Sequence, residues 1–138
     1  MTVREIMSQR VVTVEMDDKL SAVKEIFDHM RFHHLLVVDE GILLGVVSDR
    51  DLLKALSPNL GTSTESYKDA ATLNKRVHQI MSRNPVTLHP EASVRDAVAV
   101  FNTHTISCIP IVDRKDRPVG LLSWRDILKA LAAKYPDL

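Results

Sequence analysis

The chain has one cysteine, Cys108, among 138 residues, so no intrachain disulfide can form. Its neighbours Ser107, Ile109 and Pro110 make a largely apolar run, which reads as a buried, inert thiol. Nothing nearby in sequence supplies an activating base for a catalytic nucleophile. An excess of either charge is also missing, because 18 Lys and Arg stand against 18 Asp and Glu. Such a balance leaves no electrostatic footprint for nucleic acid or an anionic membrane. No apolar run approaches a membrane-spanning length. The start, MTVREIMSQRVV, lacks the basic and long apolar regions of a signal peptide. The chain is therefore expected to be soluble and cytoplasmic, without nucleic-acid or membrane partners. A Gly-rich phosphate loop, a Ser-His-Asp order and a metal set are absent too, so no catalytic residue is assigned and no enzyme is expected.

What is present is repetition. Val3, Ile6, Met7, Ser8, Val12, Thr13, Phe27, Val38 and Asp39 recur 74 residues later as Val77, Ile80, Met81, Ser82, Val86, Thr87, Phe101, Val112 and Asp113. After one inserted residue the offset becomes 75. GVVSDRDLLKAL from Gly45 then matches GLLSWRDILKAL from Gly120 at eight positions. The insertion falls at a turn, where Asp39-Glu40-Gly41 is replaced by the longer Asp113–Pro118 loop. A hairpin tip tolerates such a change at little cost.

Each half predicts the same order. A short β-branched run comes first, Val11 to Val14 and Val86 to Leu88. An amphipathic helix follows, with Leu20, Val23, Ile26, Phe27 and Met30 at helical spacing, echoed by Val94, Ala97, Val98 and Phe101. Two apolar strands and a second helix close the unit. The expected fold is therefore α/β (α+β), two β-α-β-β-α repeats at 1–57 and 77–138 joined by a linker at 58–76. From about Glu65 the linker pattern turns helical again.

Ser48-Asp49-Arg50-Asp51 stands where a strand ends and a helix begins. Read once, Ser-x-x-acid is a capping box. Written twice, with Gly at the same distance upstream, it is also a candidate ligand corner. A strand end meeting a helix start suits a phosphate or the polar part of a nucleotide. A carboxylate there accepts from donors such as the vicinal hydroxyls of a ribose.

With its doubled GVVSDRD and GLLSWRD, its LLVVD and IPIVD strands, and its VREIM and VHQIM lead-ins, the chain resembles a tandem pair of CBS domains, the modules named after cystathionine β-synthase. It looks most like bacterial CBS pairs such as those of acetoin-utilization-type proteins. The resemblance implies two repeats packed with pseudo-twofold symmetry, leaving two clefts, and a disc-like homodimer formed through helices. It implies AMP, ADP, ATP, S-adenosylmethionine or NAD as regulatory ligand, no required cofactor, and an effector protein of unknown identity. Residue by residue, it makes Asp51 and Asp126 ribose ligands with Ser48 and Ser123 beside them. It places His33 and His34 in the slot where a basic pair reaches phosphates.

In the second repeat that slot holds Ser107 and Cys108, and Trp124 stands where the first repeat has Asp49. Equal occupancy of the two sites is therefore not expected, and a phosphorylated ligand is expected first where the histidines are. Arg50 and Arg125 are candidates for a polyphosphate, the partner subunit or a surface salt bridge. Trp124 can stack on a base or cover a contact, and packing is its expected role. His29 and His33 are four apart and imidazole suits zinc, but no carboxylate or cysteine completes a set, so no metal is assigned. The competing reading is a ligand-free dimeric interaction module in which Ser-x-x-Asp does nothing but cap.

Overall fold

The computed structural model describes residues 1–137. Its elements run α1 (Val3–Ile6), β1 (Thr13–Glu15), α2 (Leu20–His29), β2 (His34–Asp39), β3 (Ile42–Ser48) and α3 (Asp49–Ala55). The linker holds α4 (Tyr67–Ala71), and a 3-10 turn at Val77–Gln79 leads to β4 (Ser82–Arg83). The second repeat supplies α5 (Val94–Thr103), β5 (Cys108–Val112), β6 (Pro118–Ser123) and α6 (Trp124–Lys134). The mixed α/β character read from the pattern is what the chain adopts.

Packing divides the chain in a way the repeats do not announce. One unit takes Val12–Glu40 and Leu44–Asn84. The other takes Met1–Val11, Gly41–Leu43 and the chain from Pro85 onwards. Each is thus built on the body of one repeat plus the lead segment of the other.

In the first unit β1 pairs in parallel with β2, setting Val14 beside Val37. The sheet order is β1-β2-β3-β4, and β4 joins β3 through Gly45↔Arg83 and Val46↔Ser82. Leu20 and Val23 of α2, Leu35 and Val37 of β2, Val47 of β3 and Leu52 of α3 form the core, completed by Val77 and Met81 from the second repeat's lead segment. In the other unit β5 and β6 are antiparallel. Ile109, Ile111 and Leu122 pack there with Ala97 of α5 and with Val3 of the first repeat's lead segment.

The two exchanges are copies of each other, bond for bond. Val3 N–H donates to Ala92 O at 2.8 Å and Arg4 N–H to Pro90 O at 3.0 Å. Seventy-four residues on, Val77 N–H donates to Asp18 O at 2.9 Å and His78 N–H to Met16 O at 3.0 Å. Ser8 bridges to Leu121 as Ser82 does to Val46. What admits these segments is the repeated glycine. A Cβ on Gly45 would lie 2.5 Å from the Ser82 carbonyl oxygen, and one on Gly120 would lie 2.5 Å from Met7 Sδ. The glycine upstream of each Ser-x-x-Asp is therefore there for close approach rather than for an unusual dihedral.

Two departures from the sequence pattern have local causes. The strand expected at Val86–Leu88 is reduced to one parallel bridge, Leu88↔Ile111. In the first repeat Leu36 N–H donates to Val12 O at 3.0 Å; its counterpart is Pro110, which has no N–H to extend the ladder. At the hairpin tip, positive φ extends beyond Gly41 (81°) to Glu40 (50°), the pair of left-handed residues that a two-residue hairpin turn requires.

Gly45→Ala and Gly120→Ala should both destabilise, by about 1–3 kcal/mol as overpacking does. Gly45→Ala is expected to cost more, because the Ser82 carbonyl blocks it at 2.5 Å, whereas above Gly120 the Met7 side chain can swing aside and the Ser8 carbonyl lies farther off, at 3.0 Å. Urea denaturation of both variants checks the order, and an equal or reversed order contradicts the lead-segment packing.

Candidate ligand-binding site

The two Ser-x-x-Asp corners sit on equivalent strand-to-helix junctions. At the first, β3 ends at Ser48, whose extended backbone (φ −95°, ψ 161°) caps α3. Asp51 N–H donates to Ser48 Oγ at 3.0 Å, and Ser48 N–H donates back to Asp51 Oδ2 at 2.9 Å. At the second, β6 ends at Ser123, which caps α6. Ser123 N–H donates to Asp126 Oδ2 at 2.9 Å, and the return bond from Asp126 N–H to Ser123 Oγ is longer, 3.4 Å. In both, the cap engages Asp Oδ2, and Oδ1 takes no part in the box.

The capping half of the sequence reading is therefore correct, and the structure widens it. Ser66–Asp69 and Ser93–Asp96 make the same reciprocal boxes at the starts of α4 and α5. Ser-x-x-Asp is thus a general helix start in this chain. Two things separate the corners at Ser48 and Ser123 from the other boxes: each directly follows a paired strand, and their hydrogen bonds are part-buried where those of the other two are exposed. The recurring serine three residues before an aspartate could have revealed all four boxes in the sequence.

At the first corner β2 brings its leading histidines to α3. His33 Nδ1 lies 2.9 Å from Asp49 Oδ2, and Asp49 N–H donates to His33 O at 3.0 Å. The pair is superficial, with side chains 79% and 44% exposed, so its ionic worth is at most about 1 kcal/mol. His34 is half-buried, and burial holds its imidazole below the ordinary value, against an upward pull from Asp49, a downward push from His33 and an upward pull from Asp51. The structure thus brings His33, His34, Asp49 and Asp51 into one electrostatic cluster around the corner. Arg50 is exposed, as is Arg125 in the second repeat.

The second corner differs in kind. Ser107 is exposed and Cys108 buried. Burial pushes the Cys108 thiol up to about 12, which leaves it protonated and matches the inert thiol read from its neighbours. Trp124 is 56% exposed and meets Phe101 edge to face, ring centroids 6.3 Å apart. Packing is thus at least part of its work. His29 binds the carbonyl of Glu25 through Nδ1 at 2.9 Å, and among the described residues no three His, Cys, Asp or Glu side chains gather as a metal set. No helix among them is long and apolar enough to cross a membrane.

The His34 environment has a pH consequence. Its pKa is lower folded than unfolded, so the unfolded chain takes the proton first. Stability from this group is full above about pH 6.5 and falls as pH drops below that value. His34→Gln should therefore lose less stability than the native chain between about pH 7 and about pH 5, read as urea midpoints. Equal losses would contradict the buried, neutral imidazole.

Comparison with known proteins assigns the repeats. The model of the CBS domain matches residues 3–58 and again 77–133. A CBS domain-containing protein of Dictyostelium discoideum is 32% identical over 131 residues, covering 94% of this chain and 90% of that protein. The chain spans 23% to 39% of the length of three further curated relatives, two of which carry enzyme names. Among solved structures, the CBS domain pair of protein MJ0100, in complex with 5′-methylthioadenosine and S-adenosylmethionine, superposes with a TM-score of 0.77 at 28% identity, covering 97% of this chain and 98% of that one. A putative acetoin utilization protein from Vibrio cholerae has the same fold, with a TM-score of 0.78 at 22% identity over 99% of this chain and 93% of that one.

Proposed function

The chain belongs to the CBS domain family, and from that premise we propose that it is a regulatory module which binds an adenosine derivative at its Ser-x-x-Asp corners. The observation that carries this reading is the doubled corner itself. In both repeats the cap holds the aspartate through Oδ2, so the carboxylate is fixed in place with Oδ1 outside the box. An acceptor-only group held in that way suits the two adjacent hydroxyls of a ribose. A similar CBS pair carries two adenosine derivatives in its crystal structure, which supports the ligand class.

In this reading Asp51 and Asp126 hold the ribose and Ser48 and Ser123 flank it. His33, His34, Arg50 and Arg125 face the ligand's phosphates where it has them. The candidates are AMP, ADP, ATP, S-adenosylmethionine and NAD. Occupancy changes the geometry of a homodimer, and an effector protein in the cytoplasm reads the change. Such a switch works only if the ligand binds one state more tightly than the other. The chain itself carries out no catalysis.

One observation favours the rival reading of a ligand-free dimeric interaction module. The boxes at Ser66 and Ser93 show that this chain makes the same motif for capping alone.

A thermal-shift panel of AMP, ADP, ATP, S-adenosylmethionine and NAD separates the two. A site filled at a hundred times its Kd adds about 2.7 kcal/mol, a visible rise in the melting temperature. No shift with any of the five leaves the ligand-free module standing. Where a shift occurs, Asp51→Asn and Asp126→Asn should each abolish binding at their own corner. Asn retains an oxygen for the cap and takes away the carboxylate. Unchanged affinity in both variants overturns the site assignment.

A further inference from the structure

We propose that Asp49 sets the charge preference of the first-repeat site: it occupies the imidazole of His33 and so disfavours an anionic phosphate on the ligand relative to an uncharged 5′ group. The inference rests on the adenosine-binding reading of the Asp51 corner and adds to it a residue that the ribose chemistry does not involve.

The geometry is a two-point tie. Asp49 Oδ2 lies 2.9 Å from His33 Nδ1, while the Asp49 backbone N–H holds the His33 carbonyl at 3.0 Å. The ring that would meet a phosphate therefore already faces a carboxylate. Because the pair is exposed, the tie is weak enough for an incoming anion to break. Breaking it leaves the Asp49 charge close to the phosphate, and a like charge at that range is repulsive.

The rest of the cluster does not relieve this. Asp51 adds a second carboxylate two residues on, and burial keeps His34 from taking up charge near neutral pH. Arg50 is the nearby permanent cation in sequence, but Arg125 stands at the same place in the other repeat. It therefore cannot distinguish the two corners. What distinguishes them is the pair: His33 and Asp49 in one repeat, Ser107 and Trp124 in the other. Both members are replaced together, as expected if they act on each other.

The test is calorimetric binding of adenosine and of 5′-AMP to the full chain carrying Asp126→Asn, so that only the first corner responds. Adding Asp49→Asn should tighten 5′-AMP about three- to fivefold, the scale of a superficial ion pair, and leave adenosine unchanged. The gain should shrink as salt is raised. It should be smaller when His33→Gln is added, because only the direct repulsion between Asp49 and the phosphate is then left to relieve, and an undiminished gain overturns the competition for the ring. If 5′-AMP binding is unchanged or weakened by Asp49→Asn while Asp51→Asn still abolishes both ligands, this inference fails and the ribose assignment stands. If neither ligand binds, or both bind regardless of Asp51→Asn, the adenosine reading falls and this inference falls with it.

Discussion

Two backbone approaches, at Gly45 and Gly120, are the constraint on which the remaining architecture rests. Each glycine lies on the strand that ends in a Ser-x-x-Asp corner, and each is overlain by a lead segment from the other repeat. A side chain on either glycine would occupy the place of a carbonyl or a methionine sulphur. Without that close approach Ser8 and Ser82 lose their partners on the strands. Val3 and Val77, each wholly buried, then lose their cores; burying such a side chain contributes about 1.5–3 kcal/mol. The repeat is therefore a unit of sequence, whereas the packed unit needs both repeats to be complete.

The corners inherit their precision from this scaffold. An aspartate on a freely rotating side chain is a poor recognition element, since ordering it costs conformational entropy. Here Asp51 and Asp126 are already held through one oxygen by a backbone N–H of the serine at the strand end. The strand is in turn held by the segment above its glycine. The same cap at Ser66 and Ser93 occurs without a preceding strand and with exposed bonds, so the corners at Ser48 and Ser123 are set apart by their place at a strand end and their partial burial.

The two corners have diverged in electrostatics while keeping their geometry. Around Asp51 the residues are titratable and mutually coupled: two imidazoles and a further carboxylate. Around Asp126 they are a buried thiol, an exposed serine and an indole resting on Phe101. The two corners thus share one frame and present two chemistries.

Much of this was legible in the chain. The offset of 74 then 75, the alternation of strand and helix patterns, the hairpin tips, the inert Cys108 and the caps at Ser48 and Ser123 all depend on local chemistry, which a sequence states directly. Other features depended on neighbours far apart in the chain. The periodicity at Val3 and Val77 shows that they are apolar, but not that each is buried in the other repeat's core. Gly45 and Gly120 recur at one distance upstream of each Ser-x-x-Asp, but the reason shows only when the carbonyl of Ser82 and the sulphur of Met7 are seen above them. His33 read as one of a pair placed to reach phosphates, and only the fold places Asp49, sixteen residues on, against its ring. Pro110 matched a family pattern, yet its effect appears only when the strand it would have bonded is lost. The sequence by itself determined the elements, their order and the Ser-x-x-Asp caps at the two strand ends. Tertiary structure decided which segment completes which core and which charges meet, because packing and Coulomb interactions act through distance in space, which position along the chain does not record.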